Sequence, residues 1–168
     1  MTVLQGPLAN RDSWSAVGHC PVEKTMALVG TKSAMLIMRE AYYGTRRFDD
    51  FARRVGITKA ATSARLTELV EAGLLAKQPY REPGQRSRDE YVLTDKGTAF
   101  MPVVWAMFEW GRTYLDESRL RLSHLGCGAE ATVEIRCAEG HDVPPEELAV
   151  RLVRRGTESG HLRHADSP

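Results

Sequence analysis

One stretch of this chain carries side chains that suit the reading of base pairs. Within Lys59-Ala60-Ala61-Thr62-Ser63-Ala64-Arg65-Leu66-Thr67, and on to Val70, the residues Leu66, Leu69 and Val70 mark an inner face at helical spacing. Lys59, Ala60, Ser63, Ala64 and Thr67 then fall on the outer side. A lysine ammonium can reach guanine O6 and N7, the Ser63 and Thr67 hydroxyls can meet any base edge, and the Ala60 methyl can touch a thymine methyl. Small side chains there let a helix sink into a major groove. Arg65 lies on the flank and suits a phosphate, or else a solvated face paired with Glu68 and Glu71. Thr58 can cap the helix and leave backbone donors for a second phosphate. Arg46 and Arg47 head the preceding segment, while Arg81, Arg86 and Arg88 surround a Pro83-Gly84 turn. These arginines suit the phosphate backbone or an adjacent minor groove.

The elements that would position these groups can be read from the same stretch. Phe48, Phe51, Ala52 and Val55 form one apolar helical face, and Gly56 ends it. The second helix runs from Thr58 to Ala72 and stops at Gly73. Leu74-Leu75 leads into an extended run, the Pro83-Gly84 turn and a returning strand through Tyr91-Val92-Leu93. Two helices across a tight turn, then a basic-tipped hairpin, is the winged helix-turn-helix pattern. Charge agrees locally. The whole chain carries only +1, but residues 46–88 hold ten basic and five acidic side chains, so this segment is +5 and the rest −4. Charges beyond about 8 Å are screened, so a polyanion responds to the segment.

The surrounding chain supplies a core. Pro21 opens a helix with Val22, Met26 and Val29 as its apolar stripe, and Gly30 breaks it. A longer helix is expected over 31–43, with Met35, Leu36, Met38, Ala41 and Tyr42 inward. Thr94-Asp95 starts another, running to about Ser118. Its stripe is too wide for one face: Phe100, Val104, Met107, Phe108, Trp110 and Tyr114 are expected at a helix-to-helix homodimer seam. Pro102 predicts either a kink or a helix that begins near Met101. Residues 1–19 read as a loose arm, 20–118 as the DNA-binding domain with its dimerisation helix, and 119–168 as a small tail. The fold class expected is α+β: a winged helix-turn-helix with flanking dimerisation helices and a C-terminal hairpin tail.

Gly30-Thr31-Lys32-Ser33 has the end of a phosphate-binding loop, but Thr25 stands where that motif needs its first glycine and no strand precedes it. His-Glu-x-x-His and Gly-x-Ser-x-Gly are absent from the sequence, so no enzyme is expected. In the tail, His124-x2-Cys127 and Cys137-x3-His141 flank the alternating run 131–136, a possible zinc knuckle pair. Gly140 stands where the second knuckle would want cysteine, so the competing reading is a vestigial hairpin with Cys137 as a small apolar residue. Pro144-Pro145-Glu146-Glu147 reads as a helix start, with Arg151, Arg154 and Arg155 near its end. Three cysteines make no disulfide framework, the longest apolar run (34–38) is too short to cross a bilayer, and no signal peptide opens the chain, so a cytoplasmic protein with no membrane partner is expected. Cys20, at a helix N-terminus, is a candidate reactive thiol, with Glu23 opposing its anion.

From Cys20 to about Leu115 the chain resembles the HxlR-type transcriptional regulators, a branch of the MarR-like winged-helix proteins. The resemblance rests on Cys20-Pro21-Val22-Glu23, Gly30-Thr31-Lys32, Leu36-Ile37-Met38-Arg39-Glu40, Arg46-Arg47-Phe48, Ser63-Ala64-Arg65-Leu66, Leu69-Val70-Glu71-Ala72-Gly73-Leu74, Tyr91-Val92-Leu93-Thr94-Asp95-Lys96-Gly97 and Glu109-Trp110-Gly111. Ser33 and Thr62 depart from it, where the family favours Trp and Leu. It implies a dimeric regulator that binds a pseudo-palindromic duplex, a repressor by expectation. Some family members sense oxidants or electrophiles through an N-terminal cysteine, which here would be Cys20. The alternatives carried forward are a thiol- or metal-responsive sensor, with zinc as its possible cofactor, and a winged-helix module that binds protein instead of DNA.

Overall fold

The computed structural model describes residues 1–81, 84, 87–115 and 118–153. Expectations placed on Pro83, Arg86, Arg154, Arg155 and the chain beyond lie outside the described residues. The chain divides into two units, Val17–Val133 and the paired segments Met1–Ala16 with Glu134–Pro168.

The larger unit begins with α1 (Pro21–Val29) and α2 (Lys32–Tyr42). Pro21 sits in the first turn of α1, where its missing N–H costs nothing. The Thr31 hydroxyl caps α2 by accepting from the Ala34 N–H at 3.2 Å. Then come α3 (Phe48–Val55) and α4 (Lys59–Glu71). Gly56 closes α3 at φ +73°, a left-handed conformation that makes the tight turn into α4. Thr58 caps α4 through the Ala61 N–H. The wing is an antiparallel pair, β2 (Leu75–Tyr80) against β3 (Arg88–Leu93), in register from Leu75↔Leu93 to Tyr80↔Arg88. Its inner strand is tied to the α2–α3 loop by the Tyr91 N–H donating to the Arg46 carbonyl at 2.8 Å.

The core runs through all of these. Ile37 and Met38 of α2, Phe51 of α3, Leu66 and Leu69 of α4, and Leu75 of β2 are almost fully buried. Val29, Ala34, Ala41, Leu74 and Val104 complete the cluster. Thr62 is buried as well, and its hydroxyl donates to the Thr58 carbonyl at 2.9 Å. That bond satisfies the polar atom, so threonine can pack where an apolar residue would be usual. Tyr42 spans from α2 to the segment after the wing, its hydroxyl donating to the Gly97 carbonyl at 2.7 Å. Gly97 itself is required by closeness: a Cβ there would lie 2.0 Å from the Leu74 carbonyl oxygen.

Beyond the wing the single expected helix is two, α5 (Asp95–Ala99) and α6 (Met101–Tyr114). Pro102 occupies the first turn of α6, so the chain resolves the missing N–H by restarting the helix instead of kinking it. α6 ends at Tyr114, short of the expected Ser118. Its wide apolar stripe divides. Val104 and Phe100 pack into the protomer's own core, and Phe108 stands half-buried with its ring edge-on to Trp105. Val104 and Phe100 therefore serve the single chain. Met101, Val103, Met107, Trp110, Tyr114 and Leu115 remain exposed. The stripe on α1 also needs correction as core: Val22, Met26 and Leu28 are exposed, and only Val29 is buried.

The smaller unit overturns two local expectations. The segment read as a loose arm contains β1 (Val3–Leu4), which pairs in parallel with β4 (Ala149–Val150). It also contains two short 3-10 turns, with Leu8 buried and the Trp14 indole N–H donating to the Leu8 carbonyl at 2.9 Å. The helix expected after Pro144 is a single turn, closed by the Glu147 N–H on the Pro144 carbonyl, before β4. Backbone pairing with β1 satisfies that segment instead. Likewise 131–136 is not a strand. It joins two tight turns, one closed by the Ser123↔Glu130 bridge and one by Arg136↔Asp142. No described helix is long and apolar enough to cross a membrane.

Candidate nucleic-acid interface

The outer side of α4 is built as its periodicity demands. Thr62, Leu66 and Leu69 are buried, while Lys59, Ala60, Ser63, Ala64 and Thr67 are exposed. Burying one side of the helix against α2 and the wing leaves the other free to enter a groove. Arg65 lies half-buried on the flank, its guanidinium 2.5 Å from the Glu68 carboxylate, so the intrahelical pairing weighed for it is present. The Thr58 hydroxyl is occupied by its capping bond.

The remaining cations are set around this helix by tertiary contacts. Arg46 reaches the Glu90 carboxylate at 3.4 Å. Arg47 lies over the ring of Tyr80 on the wing, 4.7 Å from its centre. Stacking of this kind holds the guanidinium plane. Arg81 and Arg88 are exposed on β2's end and β3. Two residues that sequence reasoning left unplaced join them. Arg54 lines a polar cleft of about 270 Å³ with Arg46 and Arg47. Asp49 holds Lys59 in an ion pair of 2.7 Å. Local charge counting found Arg54 but could not place it. Nothing in the spacing of residues 49 and 59 announces their contact.

The cysteine and histidine candidates are less concentrated. Cys20 is the N-cap residue of α1 and half-buried, and its side chain makes no capping bond. Glu23 instead accepts from the Gly18 N–H at 2.8 Å. His124 Nδ1 lies 3.1 Å from Cys127 Sγ in the larger unit. Cys137 and His141 belong to the smaller unit and are joined through their backbones, the Cys137 N–H donating to the His141 carbonyl. Among the described residues, no three His, Cys, Asp or Glu side chains come together as a metal ion would require.

A buried-backed recognition helix, a tight glycine turn before it and a charged two-stranded wing after it define a winged helix-turn-helix regulator. The comparisons with known proteins agree. The HxlR-like helix-turn-helix family pattern matches residues 28–119, and the chain belongs to that family. It is 36% identical over 119 residues to the uncharacterised HTH-type transcriptional regulator Rv3095 of Mycobacterium tuberculosis, covering 69% of this chain and 74% of the relative. Among solved structures it is similar to PA1607, a candidate transcription factor, with a TM-score of 0.70 and 34% identity over 83% of this chain and 97% of that one. It is also similar to the redox regulator HypR in its oxidised form, with a TM-score of 0.52 and 32% identity, covering 58% of this chain and 99% of that one. The protein is thus a transcriptional regulator with a helix-turn-helix domain.

Proposed function

We propose that the chain works as a homodimer on a pseudo-palindromic duplex and represses transcription by occluding a promoter. The observation that carries this reading is the outer face of α4, small and hydrogen-bonding along its length and flanked by arginines of the α2–α3 loop and wing. Lys59, Ser63 and Thr67 would read bases while Arg46, Arg47, Arg54, Arg81 and Arg88 hold phosphates. Pairing of two chains is supported by the apolar side chains left uncovered on α1 and α6, among them Val22, Met26, Met107 and Trp110. A twofold axis would set the two recognition helices about one helical turn of DNA apart. The test is to recover genomic fragments on the purified protein and measure their affinity against salt. If each protomer contacts about three to five phosphates, log affinity falls with log salt at a slope of roughly −5 to −9. A flat slope would favour a protein-binding module, and equal affinity for every duplex would rule out an operator reader.

A thiol-responsive variant of this reading is supported by the position of Cys20. It stands at the foot of α1, beside the uncovered apolar face, and a relative of this fold is a redox regulator. Modification of Cys20 would then alter the pairing of the chains and release the operator. Operator affinity before and after a mild electrophile, in wild type and Cys20→Ser, checks it: a loss in wild type alone is expected.

A further inference from the structure

Lys59, the first residue of the recognition helix, does not project alone. Its Nζ lies 2.7 Å from Oδ1 of Asp49 on α3, and both side chains are largely exposed. The Asp49 carboxyl is held below the usual carboxylate range by the hydrogen bond from Lys59, then by the charge of Lys59, with Arg88 of the wing adding to the same effect. Asp49 also lines a cleft of about 440 Å³ between the head of α3 and the wing, shared with Arg47, Asp50, Tyr80, Arg88 and Asp89. An exposed pair of this kind adds little to folding stability. An acid held against the first residue of the helix proposed to read DNA needs another account.

The pair has no net charge, so a phosphate approaching Lys59 meets the carboxylate as well and gains little. Hydrogen bonding is affected differently. An ammonium has three donors, and Asp49 occupies one. Two remain for neutral acceptors, and the second oxygen of Asp49 remains an acceptor. Two acceptors beside a donor is what a G·C pair shows in the major groove: guanine N7 and O6, then cytosine N4. An A·T pair places the adenine N6 donor between its two acceptors, against the lysine.

We propose that Asp49 is a specificity-determining residue, which converts Lys59 from a general phosphate-binding cation into a reader of a G·C pair at the first turn of α4. The proposal rests on the DNA-binding reading above. It explains why the lysine best placed to enter a groove is tethered to an acid.

The experiment is selection of bound duplexes from a randomised library by the full chain, comparing wild type, Asp49→Asn and Lys59→Ala. The wild-type pool is expected to carry a G·C pair at one position of each half-site. Asp49→Asn should lose that preference by on the order of tenfold, as expected for one base contact. It should also bind unselected duplex more tightly, with a salt slope steeper by about one as Lys59 takes up a phosphate. Lys59→Ala should lose the preference without gaining affinity for unselected duplex. Asparagine matches aspartate in shape at an exposed site, and an unchanged circular dichroism spectrum verifies the fold. An Asp49→Asn protein with the wild-type preference and slope overturns the proposal, as does a wild-type pool with no such G·C pair. A wild-type protein that enriches no sequence overturns the DNA-binding reading itself, and this inference with it.

Discussion

Replacing Met107 and Trp110 together with glutamate is expected to leave a folded monomer. The two side chains are 55% and 58% exposed in the protomer. A tryptophan buries up to about 250 Å², so about 145 Å² of Trp110 awaits cover, worth roughly 3.5 kcal/mol at ~25 cal/mol per Å². Full burial of a methionine is worth ~1.5–3 kcal/mol, and about half of that remains for Met107. A twofold seam counts each residue twice, giving about 9 kcal/mol before the cost of association is subtracted. Glutamates would remove this term and place like charges across the axis without partners. The dimer dissociation constant should rise by at least about a thousandfold, which corresponds to only ~4 kcal/mol. Val104 of α6 is buried in the protomer and untouched, so the helix should keep its place. Sedimentation velocity at micromolar concentration reads the mass, and thermal melting confirms the fold. A double mutant that remains a dimer with wild-type affinity would refute the assignment of this face to the seam.

Other outcomes follow from the same geometry. Arg88→Ala should weaken every duplex alike and lower the salt slope by about one, whereas Ser63→Ala should cost ~1–3 kcal/mol only at the preferred operator. Leu66→Ala, in the middle of the core, should lower unfolding free energy by about 2–5 kcal/mol in a urea titration. Gly97→Ala should destabilise strongly by the same measurement, since its Cβ would press on the backbone of Leu74. Burial raises the Tyr42 hydroxyl from its ordinary 10.0 to about 12. Because the folded value lies above the unfolded one, this contribution is intact below pH 10 and lost as the pH rises from 10 to 12. Tyr42→Phe should remove that part of the alkaline fall.

How much of this could be read without a structure depends on how far apart in the chain the interacting groups lie. The sequence by itself determined the helix-turn-helix and its wing. The signals are local: Gly56 can take the left-handed turn conformation, Thr58 can cap, and the apolar spacing of Leu66 and Leu69 orients α4. It also determined that α6 carries more apolar surface than one face needs, and that Pro102 disturbs the helix. Which residues of that stripe turn inward was decided by the packing of α6 on the rest of the unit, which places Phe100 and Val104 against the core and leaves Met107 and Trp110 outside. The exposure of Val22 and Met26 was decided in the same way, because periodicity shows that a face is apolar but not what covers it. The pairing of β1 with β4 joins segments more than a hundred residues apart, and two-residue strands leave no alternation to recognise. Asp49 on Lys59 and Arg47 on Tyr80 are side-chain meetings between separate elements. Composition supplied the charges around α4 and the wing, but only tertiary structure decided which partners hold them.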